Sequence, residues 1–303
     1  MNWFRVTLSL AGPTATPWQA DTVFGHLCWA LRHRQGSSAL QEFLEPFRAG
    51  QPPILLSSGF PKGLLPRPLA PSRLPASVGG EFQRLHGLRK QECLTAGDFV
   101  RSLRGKPFWP QRVKDPVRTR VIARKQVNRL TGTTEEEGRL FGFVEHWIPR
   151  VVLYLKVENG YETLAHELFA ILADTGYGKR KSAGYGAVRN LEFEPFRGFR
   201  SPSDANGFVS LSPFVPAAAD PTRGFWHTRV KYGKLGEEFA AGLNPFKRPV
   251  LMLTEGSAFY DASPRKWYGR MVSGVSDTHR EVVHYGYALP VPMRMPTLDG
   301  GTG

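Results

Sequence analysis

Cysteine is nearly absent from this chain: 2 in 303 residues, Cys28 and Cys93. So few thiols, so far apart, exclude a disulfide framework and a Cys-rich zinc site, and both are expected to be reduced, Cys28 in the core. Long apolar runs are missing as well. The run Val151 to Leu155 is far short of the ~20 residues that cross a bilayer. The amino terminus also lacks the basic-then-apolar layout of a signal peptide. A cytoplasmic chain with no membrane contact is therefore expected.

Catalytic patterns are equally scarce. The eight histidines (His26, His33, His86, His146, His166, His227, His279 and His284) form no H-E-x-x-H, HD or Cys–His metal pattern. No Gly-Gly-Asp-Asp palm signature of a cyclase occurs. No metal or other cofactor is expected. His26 stands near Cys28 on a predicted helix, but residues two apart point to different faces, which favours packing over ligation. Asp21 reads either as a helix-start acid favoured by the macrodipole or as a contact to a partner or RNA.

Acidic residues are few too: 26 Asp+Glu face 40 Lys+Arg, a formal charge of +14. A polyanionic partner follows. The excess is concentrated, because Arg101 to Arg129 holds Arg101, Arg104, Lys106, Arg112, Lys114, Arg118, Arg120, Arg124, Lys125 and Arg129 against the single acid Asp115. Such a stretch is an electrostatic footprint for phosphate, the alternative being a solvated, solubilising face.

With 41% hydrophobic residues the chain can bury a sizeable core. Phe4 to Leu10 alternates with the period of a half-buried strand. Thr16 and Pro17 then read as cap and first turn of a helix that carries Val23, Phe24, Leu27, Cys28 and Leu31 to about Arg34. A second helix is expected over Ser38 to Phe47, with Pro46 ending it early, then a strand from Ile54 to Ser57. Pro61 to Gly80 reads as a long irregular loop. Val117 to Phe143 reads as a protruding hairpin with its polar tip at Thr131 to Gly138. Val151 to Val157 is a strand, Leu164 to Asp174 an amphipathic helix, and Ala187 to Phe193 a closing strand. Phe199 to Asn206 reads as a linker, which places one domain at 1–200 and a strand-rich one at 201–303. In the latter, Phe208 to Phe214, Phe225 to Tyr232, Pro249 to Thr254 and Glu281 to Leu289 are strand candidates, with Leu235 to Leu243 helical. The fold class is α+β, and the order strand, helix, strand, hairpin, strand, helix, strand suggests a ferredoxin-like, RNA-recognition-type sheet.

The segment richest in information is Gly176-Tyr177-Gly178-Lys179-Arg180-Lys181-Ser182-Ala183-Gly184-Tyr185-Gly186. Glycines permit positive φ and close backbone approach, so successive N–H groups can form an anion nest that the cations and Ser182 complete. Tyr177 and Tyr185 could stack on bases. A dinucleotide fingerprint must follow a strand and open a helix, whereas this loop follows a helix and enters a strand, and the Walker spacing is absent. The plain alternative is a tight turn carrying surface lysines.

This loop resembles the signature glycine-rich loop of the RAMP superfamily of CRISPR proteins. The segments Thr16 to Leu31 (T-P-W-Q-A-D-T-V-F-G-H-L-C-W-A-L), Leu56 to Pro66 (L-S-S-G-F-P-K-G-L-L-P) and Asn128 to Gly132 (N-R-L-T-G) look like the subunit of type III, Csm-type, complexes that binds the 5′ handle of the guide RNA. The likeness spans residues 1 to about 195, more loosely the remainder. The charges of Lys179, Arg180 and Lys181 exceed the family pattern. The resemblance implies two ferredoxin-like domains and a hairpin thumb. It further implies a non-catalytic subunit that holds the guide handle, contacts the large HD/palm signalling subunit, abuts a backbone RAMP subunit and meets target RNA only indirectly. The implied RNA-binding residues are the loop residues, Arg118, Arg120, Arg124, Lys125, Asn128, Arg129 and Trp18. The rivals are a guide-processing endoribonuclease of the same superfamily with His26 as general base, and a general single-stranded RNA-binding module.

Overall fold

Alternation of Phe4, Val6 and Leu8 with Arg5, Thr7 and Ser9 makes β1 (Asn2–Leu10) a central strand, with Val6, Thr7 and Leu8 all buried. A computed structural model of the chain describes residues 1–71, 91–114, 116–125, 140–241 and 244–297. After β1 comes α1 (Ala20–Arg48), then β2 (Ile54–Leu56), β3 (Phe60–Pro61) and β4 (Leu64–Pro66). Next are β5 (Cys93–Thr95), α2 (Ala96–Ser102), β6 (Arg118–Lys125), β7 (Leu140–Trp147), β8 (Arg150–Val157), α3 (Glu162–Thr175) and β9 (Val188–Pro195). The first sheet has the order β2-β8-β1-β9, with β3 also on β8, and every pairing in it is antiparallel. Strands β1, β2, β8 and β9 with helices α1 and α3 thus form a strand-helix-strand-strand-helix-strand unit. The ribbon β6–β7 is inserted before β8.

Two helix expectations change in detail. Gly36, at φ 87, breaks the backbone of α1 where the sequence divides into two helices, yet the chain re-enters helix at once and continues past Pro46 to Arg48. The start is displaced. Gln19, not Thr16, occupies the cap position, and Thr16 and Pro17 lie ahead of the helix. The expected loop from Pro61 holds β4, which pairs with β5, and Thr95 caps α2 by accepting the Asp98 N–H at 3.1 Å.

The remaining strands are β10 (Gly207–Ser210), β11 (Gly224–Phe225), β12 (Thr228–Lys231), β13 (Val250–Leu253), β14 (Ala258–Tyr260), β15 (Tyr268–Gly269), β16 (Tyr287–Ala288) and β17 (Pro290–Met293). A second antiparallel sheet has the order β11-β14-β10-β17. Pro290 and Pro292 hide β17 from a sequence reading, but β17 is an edge strand, where missing donors are tolerated. The expected strand from Phe225 to Tyr232 divides between this sheet and the separate ribbon β12–β13. The helix expected at Leu235 to Leu243 is only a 3₁₀ segment, Glu237–Ala241.

The two sheets share one core. Along β10, Phe208 turns to a cluster with Phe214, Phe259 and Tyr268, while Val209 and the following Leu211 join Val6, Leu8, Leu56 and Leu153. Nor is the expected linker free: Phe199 lies in an aromatic cluster with Trp3, Phe99 and Tyr154 at centroid distances of 5.6, 5.3 and 4.9 Å. Between the halves lies a buried ion pair. Asp21, in the first turn of α1, meets Lys231 Nζ of β12 at 2.9 Å, and that ammonium also donates to Gln19 Oε1 and Thr22 Oγ1.

Asp21→Ala is therefore expected to cost about 3 kcal/mol by stranding the Lys231 charge. Asp21→Leu combined with Lys231→Met should recover most of it in urea titrations. A double-variant loss equal to the sum of the Asp21 and Lys231 single-variant losses would show that the pair is not coupled.

Candidate nucleic-acid interface

The glycine loop leaves α3 because Gly176 takes φ 78, closing the helix with its N–H on Leu172 O at 2.9 Å. Gly178, Gly184 and Gly186 also have positive φ, as expected of them, and so does Arg180 at φ 64. Close approach is the reason at two of these positions. A Cβ on Gly186 would stand 1.9 Å from Tyr177 O, and one on Gly178 would stand 2.7 Å from Thr16 Cβ. Gly184 is different, since a Cβ there meets nothing within 4 Å.

Backbone donors at the two ends of the loop are spent on the protein itself. Gly178 N–H reaches His26 Nε2 at 3.0 Å, Lys179 N–H reaches Thr16 Oγ1 at 3.0 Å, and Gly186 N–H reaches Pro13 O at 2.8 Å. Tyr177 N–H and Gly186 O close the loop's neck at 3.0 Å. Thr16, expected to cap α1, is thus part of the loop's seat. This corrects the anion-nest expectation at these positions, whose N–H groups are already paired within the protein.

Three aromatic expectations are overturned by burial. Tyr177 is fully buried, stacked on Trp18 at 3.8 Å and 12°, with its hydroxyl donating to Pro17 O at 2.6 Å. Trp18 is itself 3% exposed. Tyr185 is also buried, and its hydroxyl donates to Glu145 Oε2 at 2.9 Å. None of the three rings presents a face to a base; they pin the loop to the approach to α1 and to β7. Desolvation drives the Tyr177 phenol well above its ordinary pKa, with the nearby Asp21 charge adding to the rise.

What remains outside is charge. Lys179, Ser182 and Gly184 are exposed, Arg180 lies over the Phe143 ring at 4.3 Å, and Lys181 Nζ meets Glu237 Oε1 at 3.1 Å. Beside the loop runs the ribbon β6–β7, in regular register from Arg118↔Trp147 to Lys125↔Leu140. Without a bulge, Arg118 and Arg120 occupy one face, as expected from their parity. Arg118 and Arg120 are exposed, and Arg120 Nε lies 3.8 Å from Glu145. Arg124 and Lys125 enter by backbone pairing alone; Asn128, Arg129 and the tip Thr131 to Gly138 lie outside the described residues. Glu145 is the joint between loop and ribbon, 3% exposed and accepting from both Tyr185 and Trp147 Nε1. It carried no signal in the sequence, because Tyr185, the partner that ties it to the loop, is 40 residues away in the chain.

The earlier part of the basic stretch goes elsewhere. Arg101 pairs with Asp98 at 3.3 Å, and Gln111 N–H donates to Asp98 Oδ2, which ties this segment to α2. His26 is committed to structure: burial, then the Lys181 charge, lower its pKa to about 4 despite an opposing effect of Glu237. Among the described residues no group of three or more His, Cys, Asp and Glu stands together as a metal site.

No family model matches the chain, and no curated protein matches its sequence. Its fold, however, is known. A chain of the Csm1–Csm4 cassette crystallised with pppApA matches with a TM-score of 0.67 at 22% identity, over 98% of this chain and 100% of that one. The cassette with cA4 gives 0.66 at 22% identity, over 98% and 99%. The Csm3–Csm4 subcomplex of the type III-A CRISPR–Cas interference complex gives 0.60 at 14%, over 97% and 100%. Csm4 is common to these assemblies, and its fold is the one this chain shares.

Gly186→Ala should prevent stable folding, since a backbone oxygen blocks the added carbon, whereas Gly184→Ala should cost only about 1 kcal/mol of φ strain. Similar losses in denaturant titrations would contradict this geometry. Stability should also depend on pH through His26 and His284, whose pKa burial likewise lowers to about 4. Between 6.5 and 4 the unfolded chain holds protons that the folded one does not, so stability is full above that window and lost as pH falls through it. His26→Gln, which can still accept the Gly178 N–H, should make the decline shallower; a decline of unchanged depth would remove His26 as a cause.

Proposed function

We propose that this chain is the non-catalytic subunit of a type III CRISPR interference complex that binds the 5′ handle of the guide RNA and caps the assembly. The observation that carries this reading is the match to Csm4's fold over almost the whole chain, together with a rigid basic loop set beside a basic ribbon. Lys179, Arg180, Lys181, Arg118 and Arg120 supply a cationic surface, and the buried Tyr177 and Tyr185 hold it in shape before RNA arrives. Preordering matters because a loop that need not fold on binding loses less entropy in the complex.

The expected partners are the guide handle, the large HD/palm subunit and a backbone RAMP subunit, with target RNA met indirectly. Csm1 and Csm3, the companions of Csm4 in the matched assemblies, are the models for the two proteins. The order of the first sheet supports a ferredoxin-like unit in the first 200 residues. The strand-rich second unit after residue 200 is read the same way, with support from the four-stranded sheet alone. Ribbon β6–β7 takes the role of thumb. The endoribonuclease reading would use His26 as general base, but that imidazole already accepts a backbone N–H and is a weak base at about 4.

Handle RNA should bind with a salt dependence of about −0.7 in log–log slope per contacted phosphate. Replacing Lys179, Arg180 and Lys181 together by Ala should weaken binding and make that slope shallower by about 0.7 to 2, with the circular dichroism unchanged. A flat salt response, or equal affinity of the triple variant, would reject the loop as an RNA site. Purified protein should also leave repeat RNA uncut; cleavage abolished by His26→Ala would establish the nuclease instead.

A further inference from the structure

Arg180 and Glu237 are the only non-glycine residues with positive φ among the described residues, at φ 64 and φ 48. Their segments are joined by one ion pair. Lys181 follows Arg180 directly, and its Nζ lies 3.1 Å from Glu237 Oε1, joining the glycine loop to the 3₁₀ segment of the second half. The segment does not need this contact to stay where it is. Glu238 pairs with Arg32 of α1, and Phe239 lies under the Arg32 guanidinium at 4.8 Å, edge-on to Trp29 at 5.3 Å and stacked on His279 at 4.0 Å. Glu237 is thus held in a disfavoured conformation by its neighbours, with its carboxylate on a loop lysine. Both partners are partly open to solvent, 30% for Lys181 and 38% for Glu237.

Resting on the RNA-binding reading above, we propose that the Glu237 carboxylate occupies a phosphate subsite of the loop and is displaced from Lys181 by a guide-RNA phosphate. A carboxylate and a phosphodiester offer a lysine the same chemistry, an anionic oxygen acceptor. The exchange favours RNA for two reasons. An ion pair this exposed is weak, whereas a phosphate here also meets Lys179 and Arg180 and releases counterions. Displacement leaves Glu238 and Phe239 in place, so the segment remains docked on α1 while Glu237 swings to solvent. In the free protein Glu237 neutralises the lysine that RNA needs, which raises the threshold for weakly held, non-guide RNA.

The test is equilibrium binding of the full-length chain to a synthetic 5′-handle RNA at low salt, read by fluorescence anisotropy, for wild type, Glu237→Gln, Lys181→Ala and the double variant. Glu237→Gln should bind about 2–5-fold more tightly, the worth of one exposed ion pair. Lys181→Ala should bind more weakly, and adding Glu237→Gln to it should bring no gain. Glu237→Gly, which accepts the positive φ without strain, should reproduce the gain and guards against misfolding of the Gln variant. Unchanged or weaker binding by Glu237→Gln and Glu237→Gly, or an equal gain without Lys181, overturns the subsite while leaving the RNA-binding reading intact. Absence of RNA binding by wild type, or wild-type affinity in Lys181→Ala and the loop triple variant, overturns both.

Discussion

The stacking of Tyr177 on Trp18 is the contact on which the shape of the glycine loop depends. A glycine-rich loop has little of its own to bury, and its backbone entropy opposes any fixed shape. One aromatic residue between two glycines reverses that balance: its ring is sandwiched into the core, its hydroxyl satisfies Pro17 O, and its N–H closes the neck on Gly186. The flanking glycines are needed because the backbone passes within van der Waals contact of Thr16 on one side and of itself on the other. A loop that reads as an anion nest or a tight turn is therefore anchored to the core through Tyr177.

A second constraint joins this face to the rest of the molecule. Glu145 is buried on the ribbon but is satisfied by Tyr185 of the loop and Trp147 of its own strand, with Arg120 nearby. A buried carboxylate without such partners would be costly, so loop and ribbon are tied in one orientation. Together they join the ribbon that carries Arg118 and Arg120 to the loop that carries Lys179 and Arg180, cations from segments some sixty residues apart. At the start of α1, Asp21 and Lys231 couple the helix to ribbon β12–β13. The same helix therefore serves the loop through His26 and the second half through Asp21.

The elements legible in the sequence were those with strong periodicity: β1, β8, α3, the hairpin arms and the core of α1. Local signals misled where a residue type had two uses. Thr16-Pro17 reads as a helix cap, but its hydroxyl and carbonyl serve the glycine loop, because Gln19 is where the chain turns helical. Phe199 sits in a Ser- and Pro-containing stretch that reads as a linker, yet its ring belongs to the core. Tyr177 and Tyr185 have the composition of a stacking platform and the burial of anchors.

By itself the sequence determined the chemical character of this protein: a strongly basic, cysteine-poor α+β chain with a glycine loop and a basic hairpin, suited to a polyanion. Those properties are sums over residues or short-range patterns, so they survive without knowledge of the fold. Only the tertiary structure decided which aromatic rings are inside, which loop N–H groups are already spent, that Glu145 and Glu237 reach the loop, and that the two halves share one core. Each of these is a contact between residues far apart in the chain, and burial depends on what the fold brings to a side chain, which no local pattern records.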